Sequence, residues 1–197
     1  MNRRVFVSTS AACIVGSVLA DEPIKKPTEA VVDTHTHFYD PTRPQGVPWP
    51  GKMDKLLYRK VLPDEFKKLV KSHGVTGTVV VEASPWVEDN QWLLDLAKDD
   101  PFLLGIVGHL SPGSEDFGKH LARFSKSRLF RGIRINEGDL KKGLDQKSYL
   151  DDLRKLADSD RQIDINGGPG MPALGAKLAL AIPALRIVVL EAETAGF

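Results

Sequence analysis

The sequence has a single cysteine, Cys13, among its 197 residues. One cysteine excludes an intramolecular disulfide and a cysteine-rich zinc site. Basic residues outnumber acidic ones by only one, 27 against 26, so the composition predicts no nucleic-acid partner. No Gly-x-Gly-x-x-Gly motif follows the first predicted strand, which disfavours a dinucleotide-binding fold. Ser84 also lacks the flanking glycines of a serine-hydrolase nucleophile.

The sequence opens with two arginines and an apolar, uncharged run that ends at Ala20. A basic start, an apolar stretch and small residues at its end predict a signal peptide over residues 1–20. Asn2-Arg3-Arg4 fits either an ordinary secretory signal or a twin-arginine signal. We expect residues 21–29 to be a linker and the mature protein to be exported, periplasmic or extracellular, with no membrane segment left after cleavage.

From residue 30 onward, short apolar runs alternate with segments of helical periodicity. The runs predict six strands, at Ala30–Asp33, Gly77–Glu82, Leu103–Gly108, Gly132–Asn136, Gln162–Asn166 and Arg186–Leu190. Apolar stripes predict four helices between them, around Phe66, Trp92, Leu153 and Leu178. Strands that are apolar throughout belong in a parallel sheet covered by helices. The alternation therefore predicts an α/β fold for residues 30–197, either a barrel or a doubly wound sheet.

Polar side chains end almost every predicted strand. Glu82 ends the second strand, His109 follows the third, and Arg134 lies near the end of the fourth. Barrel enzymes keep their chemistry at the carboxyl ends of the strands. This distribution favours the barrel over the doubly wound sheet.

The stretch Asp33-Thr34-His35-Thr36-His37 places two histidines in alternate positions at the end of the first strand. Alternate residues on a strand share one face, so both imidazoles can meet one metal ion or one substrate. The pattern also fits a polar strand end with two solvated histidines, and His-x-His alone does not separate these interpretations. The long, proline-rich segment 38–62 that follows is either a pocket wall or lid, or a packed surface loop.

Motifs in a fixed order resemble the amidohydrolase-related family that includes sugar lactonases and pyrone-dicarboxylate lactonases. They are Val32–Asp40, Thr78–Ala83, Asn90–Leu94, Phe130–Arg134 and Pro183–Val188. The resemblance implies a (β/α)8 TIM-barrel hydrolase that opens a small carboxylated or sugar lactone. It also implies that His35 and His37 bind a divalent metal ion, zinc or manganese, although some members work without metal. The alternative that it implies is a metal-dependent decarboxylase of aromatic acids.

Three further residues are candidate substrate ligands, namely Arg134, Glu82 and His109. A guanidinium at a strand end offers a planar fork for a carboxylate or a lactone oxygen. The alternative for Arg134 is an ion pair with Glu82 or with Asp164 inside the barrel. Glu82 is then either a ligand or the partner of Arg134, and His109 is either a ligand or a hydrogen-bonded histidine at a strand end.

The sequence departs from the family pattern after Val189. The resemblance implies a histidine soon after this strand and an aspartate base after an eighth strand, but residues 190–197 contain neither. The catalytic base is therefore unassigned, and about six βα units stand where a closed barrel has eight. We expect a C-terminally truncated barrel, either active or a non-catalytic remnant. A fragment of a longer protein, and a short homologue that closes its sheet as a homo-oligomer, stay open as alternatives.

Overall fold

The computed structural model describes residues 29–190, in which six parallel strands form one curved sheet. The strands are β1 (Val31–Thr36), β2 (Val75–Val81), β3 (Leu103–Gly108), β4 (Phe130–Asn136), β5 (Gln162–Asn166) and β6 (Arg186–Val189). The helices are α1 (Pro63–Val70), α2 (Val87–Ala97), α3 (Phe117–Phe124), α4 (Glu137–Gly143), α5 (Lys147–Asp158) and α6 (Met171–Ala181). A 3-10 turn, Lys71–His73, follows α1.

The strand order identifies the sheet as part of a barrel. Each strand pairs with its predecessor in the chain, so the order is β1-β2-β3-β4-β5-β6. A doubly wound sheet reverses its order at a switch point, and this one does not. Because parallel crossovers are right-handed, an order that always advances in one direction puts the connecting helices on one face. The predicted α/β fold with six βα units of a TIM barrel is confirmed, and the described sheet is a half-barrel.

The main hydrophobic core lies between the sheet and the helices α3, α5 and α6. Phe117, Leu121 and Phe124 repeat at helical spacing along α3 and are all buried. Phe124 packs on Phe130 of β4, with ring centroids 5.7 Å apart. Each such side chain contributes about 1.5–3 kcal/mol by leaving water. This core fixes the strands from which the polar strand ends project.

Several details differ from the sequence-based expectations, and β2 and β4 each begin two residues earlier than predicted, at Val75 and Phe130. Strand β1 continues to Thr36 and does not end at Asp33, so His35 lies within the strand. The apolar stripes predict four helices, and the structure has two more, α3 and α4. Helix α4 begins directly after β4 because the Asn136 side chain caps it, accepting a hydrogen bond from the Asp139 backbone N–H at 2.9 Å. Leu69 follows Phe66 at helical spacing in α1, which predicts a buried side chain, but it is 65 % exposed.

The predicted signal peptide (1–20), nearly all of the linker and the tail after Leu190 lie outside the described residues. Export and truncation therefore stay predictions. Within residues 29–190, no helix has the length and apolar character needed to span a membrane. At the two sides of the described sheet, β1 pairs only with β2 and β6 only with β5.

Gly132 tests the close approach of β4 to β5. A Cβ atom added there would lie 2.1 Å from the Gln162 carbonyl oxygen, a backbone atom that cannot move aside. We expect Gly132→Ala to lower the free energy of unfolding by about 2 kcal/mol or more, because overpacking between paired strands displaces backbone. Urea denaturation monitored by circular dichroism measures the change.

Gly51→Ala is the matched control, since nothing lies within 4 Å of a Cβ added at that loop position. Its unfolding free energy should stay within about 0.5 kcal/mol of the wild-type value. Equal stabilities for the two variants would contradict the described pairing of β4 with β5.

Candidate functional site

The carboxyl ends of the strands surround a cavity of about 640 Å³, within the range that binds small molecules. It is lined from β4 and β5, from the loops after β1, β2 and β3, and from α4, α5 and the residue before α5. His37, Glu82, His109 and Arg134 all line it. The structure thus brings four of the five predicted site residues to one cavity. The fifth, His35, contacts His37 from the β1 side.

The two histidines face each other through their Nε2 atoms, which are 3.2 Å apart. His37 Nδ1 lies 2.9 Å from the Val81 carbonyl oxygen. A carbonyl oxygen only accepts, so the Nδ1–H of His37 donates to Val81 and its Nε2 carries the lone pair. This lone pair is directed at His35, whose backbone N–H is held by the Asp33 carboxylate at 3.0 Å.

Burial keeps both imidazoles neutral around pH 7. It lowers the pKa of His37 to about 4, although the hydrogen bond to the Val81 carbonyl opposes the shift. Partial burial, and then the charge of Arg134, also lower the pKa of His35, while Asp33 opposes them. Neutral imidazoles are the form that binds metal ions.

The geometry of the pair fits two coordination positions of a divalent metal ion. Two imidazole nitrogens bound to a tetrahedral zinc ion at about 2.05 Å are about 3.3 Å apart, close to the observed 3.2 Å. A catalytic zinc site uses three protein ligands. Among residues 29–190, however, no group of three or more His, Cys, Asp and Glu side chains could hold a metal ion. Of the three protein ligands of such a site, the described chain therefore offers candidates for two.

Arg134 forms no ion pair within the described chain, so neither expected carboxylate partner is confirmed. Its Nη1 instead donates to the main-chain carbonyl of Glu82 at 3.3 Å. The Asn166 amide, in the orientation that satisfies both of its neighbours, accepts from Arg134 Nη2 at 3.0 Å and donates to the Ile135 carbonyl at 2.9 Å. The Nε of Arg134 is buried and has no partner in residues 29–190.

The two carboxyl groups considered as partners of Arg134 are both influenced by burial. Burial raises the pKa of Glu82 to about 7, against the opposing charge of Arg134 and a hydrogen bond from the Ser84 backbone. Burial also raises the pKa of Asp164, against a hydrogen bond from Gln162 and the charge of Arg134. Glu82 lies in the cavity wall and can donate or accept a hydrogen bond near neutral pH.

His109 is held by a buried asparagine that sequence reasoning left without a role. The Asn90 side chain donates to the His109 carbonyl at 2.8 Å and accepts from the His109 N–H at 2.8 Å. Its place in the motif Asn90–Leu94 was the available signal. The imidazole Nε2 lies 3.3 Å from Ser111 Oγ, and burial lowers the His109 pKa, opposed by Asp139.

The loop after β1 is a fixed wall of the cavity, which decides between the expectations for segment 38–62. Trp49 lines the cavity, and its ring meets that of His37 edge-on at a centroid distance of 5.4 Å. Arg43 ties the loop to α2, because its guanidinium donates to Asp89 at 2.7 Å and lies 4.4 Å above the Trp92 ring.

Sequence reasoning also missed Glu137 and the glycines that surround its carboxylate. Glu137 accepts from the Gly168 N–H at 2.7 Å. A Cβ at Gly170 would lie 2.2 Å from the same carboxylate. The start of α4 is thereby joined to the loop after β5, directly beyond Asn166. The run Gly167-Gly168-Pro169-Gly170 was visible in the sequence, but its partner was not.

Comparison with known proteins identifies the family. The amidohydrolase family model matches residues 32–195. An L-fucono-1,5-lactonase of Burkholderia ambifaria is 33 % identical over 165 residues, 80 % of this chain and 55 % of the relative. An L-fucono-1,5-lactonase of Burkholderia multivorans is 26 % identical over 136 residues, 68 % of this chain and 46 % of that relative. The chain spans about half the length of these curated relatives.

Solved structures share the fold at low sequence identity. A zinc-bound amidohydrolase from Burkholderia multivorans superposes with a TM-score of 0.63 at 19 % identity, covering 82 % of this chain and 69 % of that one. A probable 2-pyrone-4,6-dicarboxylic acid hydrolase from Acinetobacter baumannii superposes with a TM-score of 0.61 at 18 % identity, covering 82 % of this chain and 58 % of that one. A manganese-bound 5-carboxyvanillate decarboxylase from Novosphingobium aromaticivorans superposes with a TM-score of 0.58 at 16 % identity, covering 82 % of this chain and 65 % of that one.

These structural similarities establish the fold alone, and the family model shows to which family the chain belongs. Its match extends over most of the chain and includes both histidines, Arg134 and all six strands except the first residue of β1. The chain therefore belongs to the amidohydrolase family.

Proposed function

We propose that this chain is a hydrolase that opens a small lactone, and that His35, His37 and Arg134 carry its site. The observation that carries the proposal is the position of the His37 Nε2 lone pair and the unpartnered Nε of Arg134 at one cavity. Lactonase-named relatives support this reaction over amide hydrolysis. The substrate class is a sugar lactone or a carboxylated lactone.

Arg134 is suited to bind the lactone because its charge is not neutralised by a carboxylate. Main-chain and amide oxygens hold two corners of the guanidinium, and a buried N–H remains for a ligand oxygen. A donor fixed in this way can bind the lactone carbonyl oxygen or a carboxylate, and it stabilises negative charge that develops on the carbonyl oxygen.

His35 and His37 would hold a divalent metal ion through their facing Nε2 atoms. When bound, such an ion polarises a carbonyl and lowers the pKa of a bound water. The described chain contributes the fixed direction of the His37 ring, which depends on the Val81 carbonyl and on the edge of Trp49. Zinc and manganese occur in structural neighbours, and either ion is compatible with imidazole ligands.

Metal binding tests the role of the pair. We expect the protein equilibrated with micromolar zinc to retain about one ion per chain, and His35→Ala and His37→Ala each to lose it, because two facing imidazoles are the described ligands. Inductively coupled plasma mass spectrometry after gel filtration measures the ratio. His73→Ala, which removes an exposed histidine in the 3-10 turn, should retain the ion.

The same proteins should be assayed for lactone opening with a pH indicator, and for carbon dioxide release from aromatic acids. Lactone opening that falls at least about 100-fold in both site variants would support the proposal. Wild-type protein and both variants behaving identically in zinc retention and in lactone opening would overturn it. Carbon dioxide release without lactone opening would favour the decarboxylase alternative.

Arg134→Lys tests the guanidinium separately. Lysine keeps the charge but lacks the Nε donor and the planar fork. We expect KM for the lactone to rise about 10- to 100-fold, because one hydrogen bond from a charged donor is lost. Arg131→Lys is the control, because Arg131 lies in the same strand and is exposed, with its Nη2 on the Leu104 carbonyl. Equal KM changes in the two variants would contradict the assignment.

A further inference from the structure

One wall of the cavity has a polar character that the proposed reaction does not use. It is formed by α4 and α5, and we call it the α4–α5 wall: Asp139, Lys142, Gln146 and Tyr149. None of these residues was a candidate from the sequence. They line the same cavity as His37 and Arg134 but belong to α4, to α5 and to the residue before α5, whereas the reactive groups lie at strand ends.

Tyr149 is the buried member of the wall and has an unused donor. Its hydroxyl is shielded from solvent and has no hydrogen-bond partner within residues 29–190. Burial, and then the nearby Asp139 carboxylate, raise the pKa of Tyr149, so the phenol keeps its proton at neutral pH. A buried hydroxyl without a partner costs free energy, which a ligand oxygen would recover.

Gly143 leaves room for the Tyr149 ring. A Cβ at Gly143, the last residue of α4, would lie 2.5 Å from the ring carbons, so a larger residue there would displace the ring. A Cβ at Gly113, in the turn after β3, would be 3.7 Å away, an ordinary contact. Asp152 fixes this turn by accepting from the Gly113 N–H at 2.7 Å.

Asp139 supplies an acceptor beside this donor. One of its carboxylate oxygens accepts from the Asn136 side chain at 2.6 Å. The other has no side-chain partner in the described part of the chain, and the residue is exposed at the cavity mouth. Lys142 and Gln146 add a cation and an amide at the same mouth. A fixed donor beside a carboxylate acceptor is the complement of adjacent hydroxyl groups, each of which both donates and accepts.

The cavity has room for such groups in addition to a lactone ring. Its volume of about 640 Å³ equals that of roughly 20 molecules of liquid water. A six-membered lactone has seven non-hydrogen atoms and so leaves most of the space for substituents.

We propose that the α4–α5 wall is a subsite for the hydroxyl groups of a polyhydroxylated lactone, with Tyr149 donating to one substrate oxygen and Asp139 accepting from a neighbouring hydroxyl. This inference rests on the proposed function and narrows its substrate from carboxylated or sugar lactones to hydroxylated ones. Specificity then resides in α4 and α5, and the ring carbonyl lies toward Arg134.

Binding of unreactive lactams tests the subsite apart from catalysis. The probes are D-glucono-1,5-lactam and its galacto epimer, with δ-valerolactam as the ring without hydroxyls, measured by isothermal titration calorimetry. We expect wild-type protein to bind a hydroxylated lactam at least about 10-fold more tightly than δ-valerolactam. Tyr149→Phe should lower the affinity for the hydroxylated lactam about 5- to 10-fold, because one hydrogen bond is lost, and should leave the affinity for δ-valerolactam unchanged.

Tyr58→Phe is the matched control, because it removes a tyrosine hydroxyl from the loop after β1 that does not line the cavity. Its lactam affinities should equal those of the wild type. Equal weakening of both lactams by Tyr149→Phe, or no weakening at all, would overturn the subsite. Thermal denaturation shows whether Tyr149→Phe is folded, and we expect its melting temperature to be no lower than that of the wild type.

Charge variants distinguish hydroxyl from carboxylate recognition. Asp139→Asn should lower the affinity for the hydroxylated lactam about 3- to 10-fold, because a charged acceptor is lost. A lactam that carries a carboxylate is the second probe. Tighter binding of this probe by Asp139→Asn and weaker binding by Lys142→Gln, with binding of the hydroxylated lactam unchanged in both variants, would indicate a carboxylate subsite and overturn the proposal.

The two proposals can fail independently. Wild-type protein that prefers the hydroxylated lactam but opens no lactone would contradict the lactonase function and support the subsite. Protein that opens lactones without any preference for the hydroxylated lactam would contradict the subsite alone.

Discussion

The hydrogen bond from His37 Nδ1 to the Val81 carbonyl is the contact on which the site depends. It joins the residue after β1 to the last residue of β2, so it forms only when these strands pair in the described register. The register includes an irregularity between Asp33 and Thr36, and a buried hydrogen bond of 2.8 Å between the Thr36 and Thr78 hydroxyls holds it.

Because the carbonyl can only accept, the contact also chooses the tautomer. The lone pair of His37 is thereby placed on Nε2, where it faces the other imidazole 3.2 Å away. The direction of the His37 imidazole is thus a consequence of strand pairing, because a backbone carbonyl of the neighbouring strand sets it. Hydrogen bonds of this kind orient histidine ligands in metal proteins.

At the same site, the charged guanidinium of Arg134 is held by uncharged oxygen atoms. Arg134 could have been neutralised by Glu82 or Asp164, but it is bound by the Glu82 main chain and by the Asn166 amide. An arginine paired with a carboxylate would have little attraction left for a ligand, since the pair's charges cancel. The arrangement leaves a positive charge and a donor directed by fixed neighbours, the preorganisation that substrate binding requires.

Much of this architecture could be predicted from the sequence. The apolar strands and their spacing indicate a parallel sheet, and the polar strand ends indicate the barrel edge where Glu82, His109 and Arg134 meet. Side chains that act through another residue could not be predicted this way. Asn90 contacts a backbone 19 residues away, and Glu137 contacts Gly168 across two βα units, 31 residues away.

The α4–α5 wall could not be predicted for a related reason. Tyr149 looks like any aromatic residue in an amphipathic helix, and only its packing on Gly143 and its unpartnered hydroxyl reveal another role. The helix α4 is itself short, and its stripe of apolar residues is too brief to give a periodic signal. Contacts between distant segments, and the absence of a contact, are properties of the folded chain.

Strand pairing directs the two imidazoles at a common point. X-ray absorption at the zinc K-edge of the zinc-loaded protein tests it most directly, because scattering from imidazole rings counts the histidine ligands. We expect two imidazole nitrogens at about 2.0–2.1 Å from zinc in the wild type, whereas His35→Ala, which retains no zinc in the same preparation, should show none. A spectrum with only oxygen neighbours, or with the same number of imidazoles in both proteins, would contradict it.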